Sequence, residues 1–297
     1  MIPINVVAPD GSMFEPISNL LERAGLKVEV EGDRNKVGTV PSVIWIGSFA
    51  FQRPYDIPRR LQRGLFDVAI VGEDWLKNWG LEFPVLLKLP MGRGGNKPVK
   101  IVLAAKEQAF QKPSDLPQGC IVATEYVQLA TDYFAELGRQ DIVVEWSPGN
   151  TEDKIEWGDA VAIVEVTESG RSLKVHGLAI IDEIMESNTV VVANAESLKD
   201  SEKQASINCF RRLIEGAYRA TFNVVMTANV PEAVINEATR IIGGLKGPSR
   251  SPIQGLPGWY ALESVVPRTR EVPVVFELLQ LGVTDIIVNR DSALIMS

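Results

Sequence analysis

Short apolar runs, each stopped at once by a glycine-, proline- or hydroxyl-bearing turn, recur along this chain and constrain its fold more than any other feature. INVVAP (Ile4–Pro9) runs into Asp-Gly-Ser-Met, FDVAIV into Gly-Glu-Asp-Trp, and DAVAIVEV into Thr-Glu-Ser-Gly-Arg-Ser. Runs of that length, apolar at successive positions, read as strands buried on both faces of a sheet. Between them lie segments with helical spacing. Phe14, Ile17, Leu20, Leu21 and Ala24 share one stripe ahead of Gly25, and VQLATDYFAEL is closed by Gly138. Strand, turn and helix in alternation with short connections predict an α/β fold with mostly parallel sheets.

The pattern has two breaks. SVIWIGSF (Ser42–Phe49) reads as a strand, and YDIPRRLQRGL as a short helix that Asp56 can cap, with Pro58 in its first turn. Around GRGGNKPVK (Gly92–Lys100) glycine, proline and basic residues cluster, as expected of a crossover between domains. A second α/β series follows: VKIVLAA, CIVAT, the Val127–Leu137 helix, IVVEW, AVAIVEV, LAIIDEIMES, TVVVANAESL and a long helix in SEKQASINCFRRLIEGAYRA. The tail changes character. ATFNVVMTANV, VPEAVINEATRII, SRSPIQ, GWYALESVV, REVPVVFELLQLG and DIIVN read in the order β-α-β-β-α-β, that of a ferredoxin-like unit.

Composition narrows the function classes. The 297 residues suggest two or three domains. The single histidine, His176, excludes most histidine-built zinc sites and triads, and without an evident acidic partner it reads as structural. Cys120 and Cys209 lie far apart and without metal-type spacing, as expected of buried thiols in a reducing cytoplasm. The formal net charge of −8 argues against nucleic acid as partner. No apolar stretch approaches the ~20 residues of a membrane span, and MIPINVVAPDGSMFEP lacks the basic and apolar regions of a signal peptide.

Four strand ends carry polar chemistry. In EVTESGRSL, Thr167, Ser169 and Ser172 offer hydroxyls, Gly170 permits close backbone approach, and Arg171 can pair with an oxyanion. A helix N-terminus follows, so the turn can cradle phosphate; the same residues also make an ordinary capped helix start. Glu165, at the strand end, is placed to accept from sugar hydroxyls or to hold a metal. Arg53 and Asp74 follow two other strands and can share a cleft, or form a surface ion pair and a cap. PDGSMFEP and SPGNTED are turn sequences after strands. Of the six tryptophans, one near the cleft can stack on a base.

RPYDIPRRLQRGLFDVAIVGEDWL, IVATEYVQLATDYFAELG and AIVEVTESGRSLKVHGL, in that order and spacing, resemble the long form of ATP phosphoribosyltransferase. GLKGPSRSPIQGLPGWYALESVV and LQLGVTDIIVNRDSALI resemble its regulatory domain. The resemblance implies two periplasmic-binding-protein-like α/β domains, at 1–97 with 187–215 and at 98–186, plus a ferredoxin-like (ACT/PII-like) regulatory and assembly domain at 216–297. It implies transfer of phosphoribose from phosphoribosyl pyrophosphate to N1 of the ATP adenine with Mg²⁺, in the first step of histidine biosynthesis. It further implies a cytoplasmic homo-oligomer, dimer or hexamer, inhibited by histidine. Glu165 and Arg53 would be catalytic. Thr167, Glu168, Ser169, Gly170, Arg171 and Ser172 would take the 5-phosphate. Asp10, Gly11, Ser12, Asp56, Gly72, Asp74, Thr124, Tyr126 and Glu152 would serve the nucleotide. No protein-built metal site is expected.

The chain departs from the family's pattern in three places. Asp10, Gly11 and Ser12 replace a Pro-Lys-Gly-Arg-like turn, Val161 replaces an acid, and Glu168 stands where a small hydroxyl residue is more usual. The altered Pro-Asp-Gly-Ser turn and Val161 support the alternative of a catalytically reduced binding protein that senses a nucleotide or an amino acid on the same scaffold.

Overall fold

A computed structural model describes residues 2–30, 36–92, 94–245 and 247–291. The chain divides into two compact units, Met1–Asn19 with Lys27–Arg211 and Leu20–Leu26 with Arg212–Ser297.

The chain begins with β1 (Ile4–Pro9), α1 (Phe14–Arg23), β2 (Glu29–Val30), β3 (Val37–Thr39), β4 (Ile46–Gln52), α2 (Ile57–Gln62), β5 (Val68–Gly72), α3 (Glu73–Asn78) and β6 (Val85–Leu89). There follow β7 (Val99–Lys106), β8 (Ile121–Thr124), α4 (Val127–Glu136), β9 (Val143–Trp146), α5 (Asp153–Glu156), β10 (Ala162–Thr167), α6 (Arg171–Val175), β11 (Leu178–Ser187), β12 (Thr189–Ala193) and α7 (Ser201–Thr221). One sheet has the order β2-β3-β4-β1-β5-β12-β6 and the other β11-β7-β10-β8-β9. The chain leaves the first sheet after β6 and returns to it through β12, so two crossovers join the sheets.

The sheets are less parallel than the strand-helix alternation predicts. β1 is parallel to β4 and β5, and β8 to β9 and β10, but β12 runs antiparallel to β5 and β6 and β7 antiparallel to β10 and β11. In the first sheet β2–β3 and β3–β4 are antiparallel as well, and β12 enters straight from β11 with no intervening helix. The strand predicted over Ser42–Phe49 lies at Ile46–Gln52. A turn closes at Val40–Val43, and Ile44 is 92% exposed, so only the later apolar residues enter the sheet. Val6, Val7 and Ala8 of β1, Val68 to Val71 of β5 and Val190 to Ala193 of β12 are fully buried. That is why they read as unbroken apolar runs.

The second unit is built from β13 (Asn223–Pro231), α8 (Ile235–Ile242), β14 (Ser249–Pro252), β15 (Trp259–Pro267), α9 (Glu271–Gln280) and β16 (Thr284–Asn289). Its antiparallel sheet has the order β14-β15-β13-β16, as the ferredoxin-like reading predicts. Along β13 Val224, Met226, Ala228 and Val230 alternate into a core shared with Ala238, Ile242, Leu262, Val274 and Leu278.

Candidate functional site

The carboxyl ends of strands from both sheets of the first unit converge on one cavity of about 340 Å³. β1 contributes Asp10, Gly11 and Ser12, β4 contributes Arg53 and Tyr55, and β5 contributes Gly72, Asp74 and Trp75. From the second sheet come Glu125 and Tyr126 after β8, Trp146 at the end of β9, and Glu165 near the end of β10. Met91, Gly92 and Val99 line it from one crossover, and Ser187, Asn188 and Thr189 from the other. Strand ends collect there because parallel strands with alternate helical returns leave open turns at one edge.

Asp74 is the most constrained polar group of the wall. It is buried, and its Oδ1 accepts a 2.6 Å hydrogen bond from Ser187 Oγ, which in turn accepts one from the Asp74 backbone N–H. Burial raises its pKa above the ordinary carboxylate value, against the opposing effect of hydrogen bonds from Ser187 and Tyr126. Gly72 makes room for it: a Cβ there would lie 2.0 Å from Asp74 Oδ1. Tyr126 stacks on Trp75 with centroids 4.4 Å apart, and Tyr55 meets Trp75 edge-on at 5.8 Å. Thr124 is fully buried behind this stack; its hydroxyl donates to the Val164 carbonyl and accepts from the Tyr126 N–H. Thr124 thus holds Tyr126 and does not itself line the cavity.

At the first strand end Asp10 accepts a 3.0 Å hydrogen bond from Lys36 Nζ, whose ammonium lies 6.0 Å from the Phe14 ring centroid. A cation therefore offsets the acid that stands in the turn. Arg53 is exposed at the cavity rim. Asp56 occupies the position before α2 but makes no side-chain cap; it pairs with Arg60 at 3.6 Å and lies outside the cavity. The capping expected of it is replaced by an ion pair one turn along.

Thr167 to Ser172 form a turn at the end of β10, outside that cavity. Gly170 has φ +70°, the left-handed region that favours glycine, and its N–H donates to Thr167 Oγ1 at 2.8 Å. Glu168 reaches to the first crossover, where it accepts from the Gly94 N–H at 2.8 Å. Ser172 Oγ donates to Glu152 at 3.2 Å, which ties the two turns together. Ser169 and Arg171 are exposed, and Val161 is half-buried among apolar side chains. His176 is exposed, its Nδ1 3.0 Å from the Ser172 carbonyl.

The residues that sequence reasoning did not single out for the site are Tyr55, Met91, Gly92, Glu125 and the Ser187–Asn188–Thr189 crossover; Trp75 and Trp146 entered it only as two of six tryptophans. A polar Ser-Asn step between two apolar runs was the available signal for the crossover. Among the described residues no three His, Cys, Asp or Glu side chains form a metal cage. Asp10, Glu125 and Glu165 stand on separate strand ends, and Asp74 is engaged by Ser187. Such a set suits a divalent cation that draws most of its ligands from water and from a bound anion.

The sequence profile of the HisG family, described as ATP phosphoribosyltransferase, matches residues 53–216, and that of the HisG C-terminal domain matches 220–290. The chain is 34% identical over 279 residues to the ATP phosphoribosyltransferase of Nitratidesulfovibrio vulgaris strain DP4, covering 91% of this chain and 93% of the relative. It is 33% identical to that of Methanocaldococcus jannaschii, covering 94% of each. It is 30% identical to ATP phosphoribosyltransferase 1 of Geobacter sulfurreducens, covering 96% of each. Among solved structures, a chain of the ATP phosphoribosyl transferase HisG:HisZ complex from Thermotoga maritima superposes with a TM-score of 0.60 at 24% identity, over 71% of this chain and 98% of that one. That likeness is one of fold.

Proposed function

The chain belongs to the ATP phosphoribosyltransferase family, and on that premise we propose that its reaction takes place in the cleft between the two sheets of the first unit. The reaction transfers phosphoribose from phosphoribosyl pyrophosphate to N1 of the ATP adenine, releases pyrophosphate, and is the first step of histidine biosynthesis. The observation that carries the assignment is the convergence on one cavity of Asp10, Gly11, Ser12, Arg53, Gly72 and Asp74 from one sheet and Tyr126 and Glu165 from the other.

Adenine N1 has an in-plane lone pair and needs no base to become a nucleophile. As the ribose C1 loses pyrophosphate, positive charge grows on the sugar ring and negative charge on the departing oxygens. In this reading Glu165 accepts from the ribose hydroxyls beside the growing positive charge, and Arg53 faces the departing pyrophosphate. Catalysis is then positioning and charge neutralisation. Thr167, Glu168, Ser169, Gly170, Arg171 and Ser172 take the 5-phosphate, with Glu152 holding the Ser172 hydroxyl. Asp10, Gly11, Ser12, Gly72, Asp74 and Tyr126 form the nucleotide side, Thr124 acts through Tyr126, and Asp56 acts through its ion pair with Arg60. Magnesium, when bound, neutralises pyrophosphate charge, and Glu165 would be its protein ligand.

The test is phosphoribosyl-ATP formation from ATP, phosphoribosyl pyrophosphate and Mg²⁺. Glu165→Gln is expected to lower kcat by about a hundredfold with an unchanged circular dichroism spectrum. An unchanged kcat would overturn the role of Glu165. No observation favours a sensing protein on the same scaffold, and Lys36 answers the acid at position 10.

We place the catalytic domains at 1–97 with 187–215 and at 98–186, and a regulatory and assembly domain at 216–297. Through that last domain histidine inhibits and chains associate as dimers or hexamers, in the cytoplasm. The ferredoxin-like strand order of the second unit supports this. No described helix is long and apolar enough to cross a membrane. Full-length protein whose turnover ignores histidine, or that sediments as a monomer, would refute the respective part.

A further inference from the structure

We propose that Trp146 is the platform on which the adenine of the nucleotide stacks, and that Glu125 beside it reads the exocyclic amine and so selects adenine over guanine. The proposal rests on the cleft being the active site and adds a specificity determinant to it.

Three observations place the base there. Trp146 lines the cavity yet is 61% exposed, whereas Trp75 and Tyr126, at the same cavity, are buried in their mutual stack. Among the described residues its ring joins none of the aromatic stacks of the cleft wall. An open indole face at a cleft mouth, apolar in the middle and polar only at its N–H, suits a flat ring that would lie over it.

The second observation is register. Trp146 pairs with Thr124 and Thr124 with Val164, so Trp146 stands level with the residue before Glu165, two strands away. At about 4.8 Å per strand that is a separation of about 10 Å. A purine whose N1 meets the ribose carbon held at Glu165 reaches over the intervening strand, where Glu125 follows β8, and its imidazole ring comes within reach of the Trp146 side chain.

The third is polar complementarity. Glu125 Oε1 accepts a 3.0 Å hydrogen bond from the Gly149 N–H, which fixes the side chain at the cavity wall. Its other oxygen has no hydrogen-bond partner among the described residues. A carboxylate oxygen accepts from the adenine amine and repels the carbonyl that guanine carries at the same position.

The test uses the full chain with three variants at Trp146 and one at Glu125. Trp146→Ala and Trp146→Leu should raise the KM for ATP about tenfold or more, leave the KM for phosphoribosyl pyrophosphate within about twofold, and remove the ATP-induced quench of tryptophan fluorescence. Trp146→Phe keeps a ring and should retain an ATP KM near that of the parent. Tripolyphosphate, which lacks a base, should bind the parent and Trp146→Ala alike. Glu125→Gln should narrow the preference for ATP over GTP in kcat/KM about tenfold. An ATP KM unmoved in both Trp146→Ala and Trp146→Leu, or phosphoribosyl pyrophosphate KM rising equally, would overturn the platform. An unchanged ATP-to-GTP ratio in Glu125→Gln would overturn the reader. A parent chain that makes no phosphoribosyl-ATP yet shows Trp146-dependent ATP binding would refute the active-site reading and uphold the platform.

Discussion

The Glu168 carboxylate accepts a 2.8 Å hydrogen bond from the backbone N–H of Gly94, so the turn after β10 is tied to the crossover that links β6 to β7. The glycines of that crossover make the contact sterically feasible. A Cβ at Gly92 would lie 2.6 Å from Glu168 Oε1, and one at Gly94 2.8 Å from Oε2. An acid thus stands in a turn assigned to a phosphate dianion, and Glu168→Gln isolates its charge, because the amide oxygen still accepts from Gly94. Loss of like-charge repulsion over several ångströms is worth about 1 kcal/mol, so the KM for phosphoribosyl pyrophosphate should fall roughly fivefold with kcat retained. Steady-state kinetics check this; a KM that rises would show that the charge itself is needed.

Gly170 is the position in that turn where backbone conformation matters. Its φ of +70° suits glycine, and an added Cβ would meet only Ile180 Cδ1 at 3.4 Å. Gly170→Val therefore strains the turn, by about 1–2 kcal/mol, without a clash in the core. Calorimetry should show phosphoribosyl pyrophosphate affinity reduced about tenfold or more with only a small drop in melting temperature. Unchanged affinity would refute the assignment of the turn.

Much of this was legible in the sequence because burial on both faces leaves apolar runs that cannot be mistaken for loops. Val68 to Val71 and Val190 to Ala193 are such runs, and both are central strands. Edge strands were legible unevenly: β9, β11, β14 and β16 stood out, but β2 and β6, which between them bury only Leu89, did not. Of the residues expected to gather at the site, Asp10, Gly11, Ser12, Arg53, Gly72, Asp74, Tyr126 and Glu165 reached the cavity from strand ends, although the turn from Thr167 to Ser172, which also follows a strand, lies outside it. Asp56 and Glu152 did not, because each has a nearer partner, Arg60 and Ser172. Glu125 gave no local signal; its place follows from the β8–β9 pairing, which only the sheet order shows.

Gly72 is fixed by Asp74 instead of by its own backbone. With φ −76° it would tolerate any side chain, but a Cβ would overlap the Asp74 carboxylate at 2.0 Å. Gly72→Ala must expel that carboxylate from its bond with Ser187. The expected cost is about 2–3 kcal/mol of stability, together with a raised KM for ATP, because the displaced group enters the nucleotide side. Denaturant melts and kinetics on one preparation test both; a variant as stable as the parent would mean that Asp74 relaxes without loss.

Asp67 and Asp74 are both buried acids, and their partners give them opposite pH signatures. Burial alone would raise Asp67, but hydrogen bonds from Lys203 at 2.8 Å, Ser197 at 2.6 Å and the Asn5 N–H at 2.7 Å outweigh it and lower its pKa. A lowered acid contributes stability above its ordinary pKa and loses it as pH falls. Asp67→Asn should therefore cost about 2 kcal/mol near neutrality, and the deficit should shrink toward pH 3. Asp74 has hydroxyl partners and, among the described residues, no cation, and burial raises its pKa. The folded chain then holds that proton above the ordinary carboxylate range, so the stability it contributes is full below that range and declines as pH rises toward the raised value. Asp74→Asn removes the decline. Its melting temperature relative to the parent should climb as pH is raised from about 4 to 8, the reverse of Asp67→Asn. Parallel slopes for the two variants would show that Asp74 ionises freely in the folded chain.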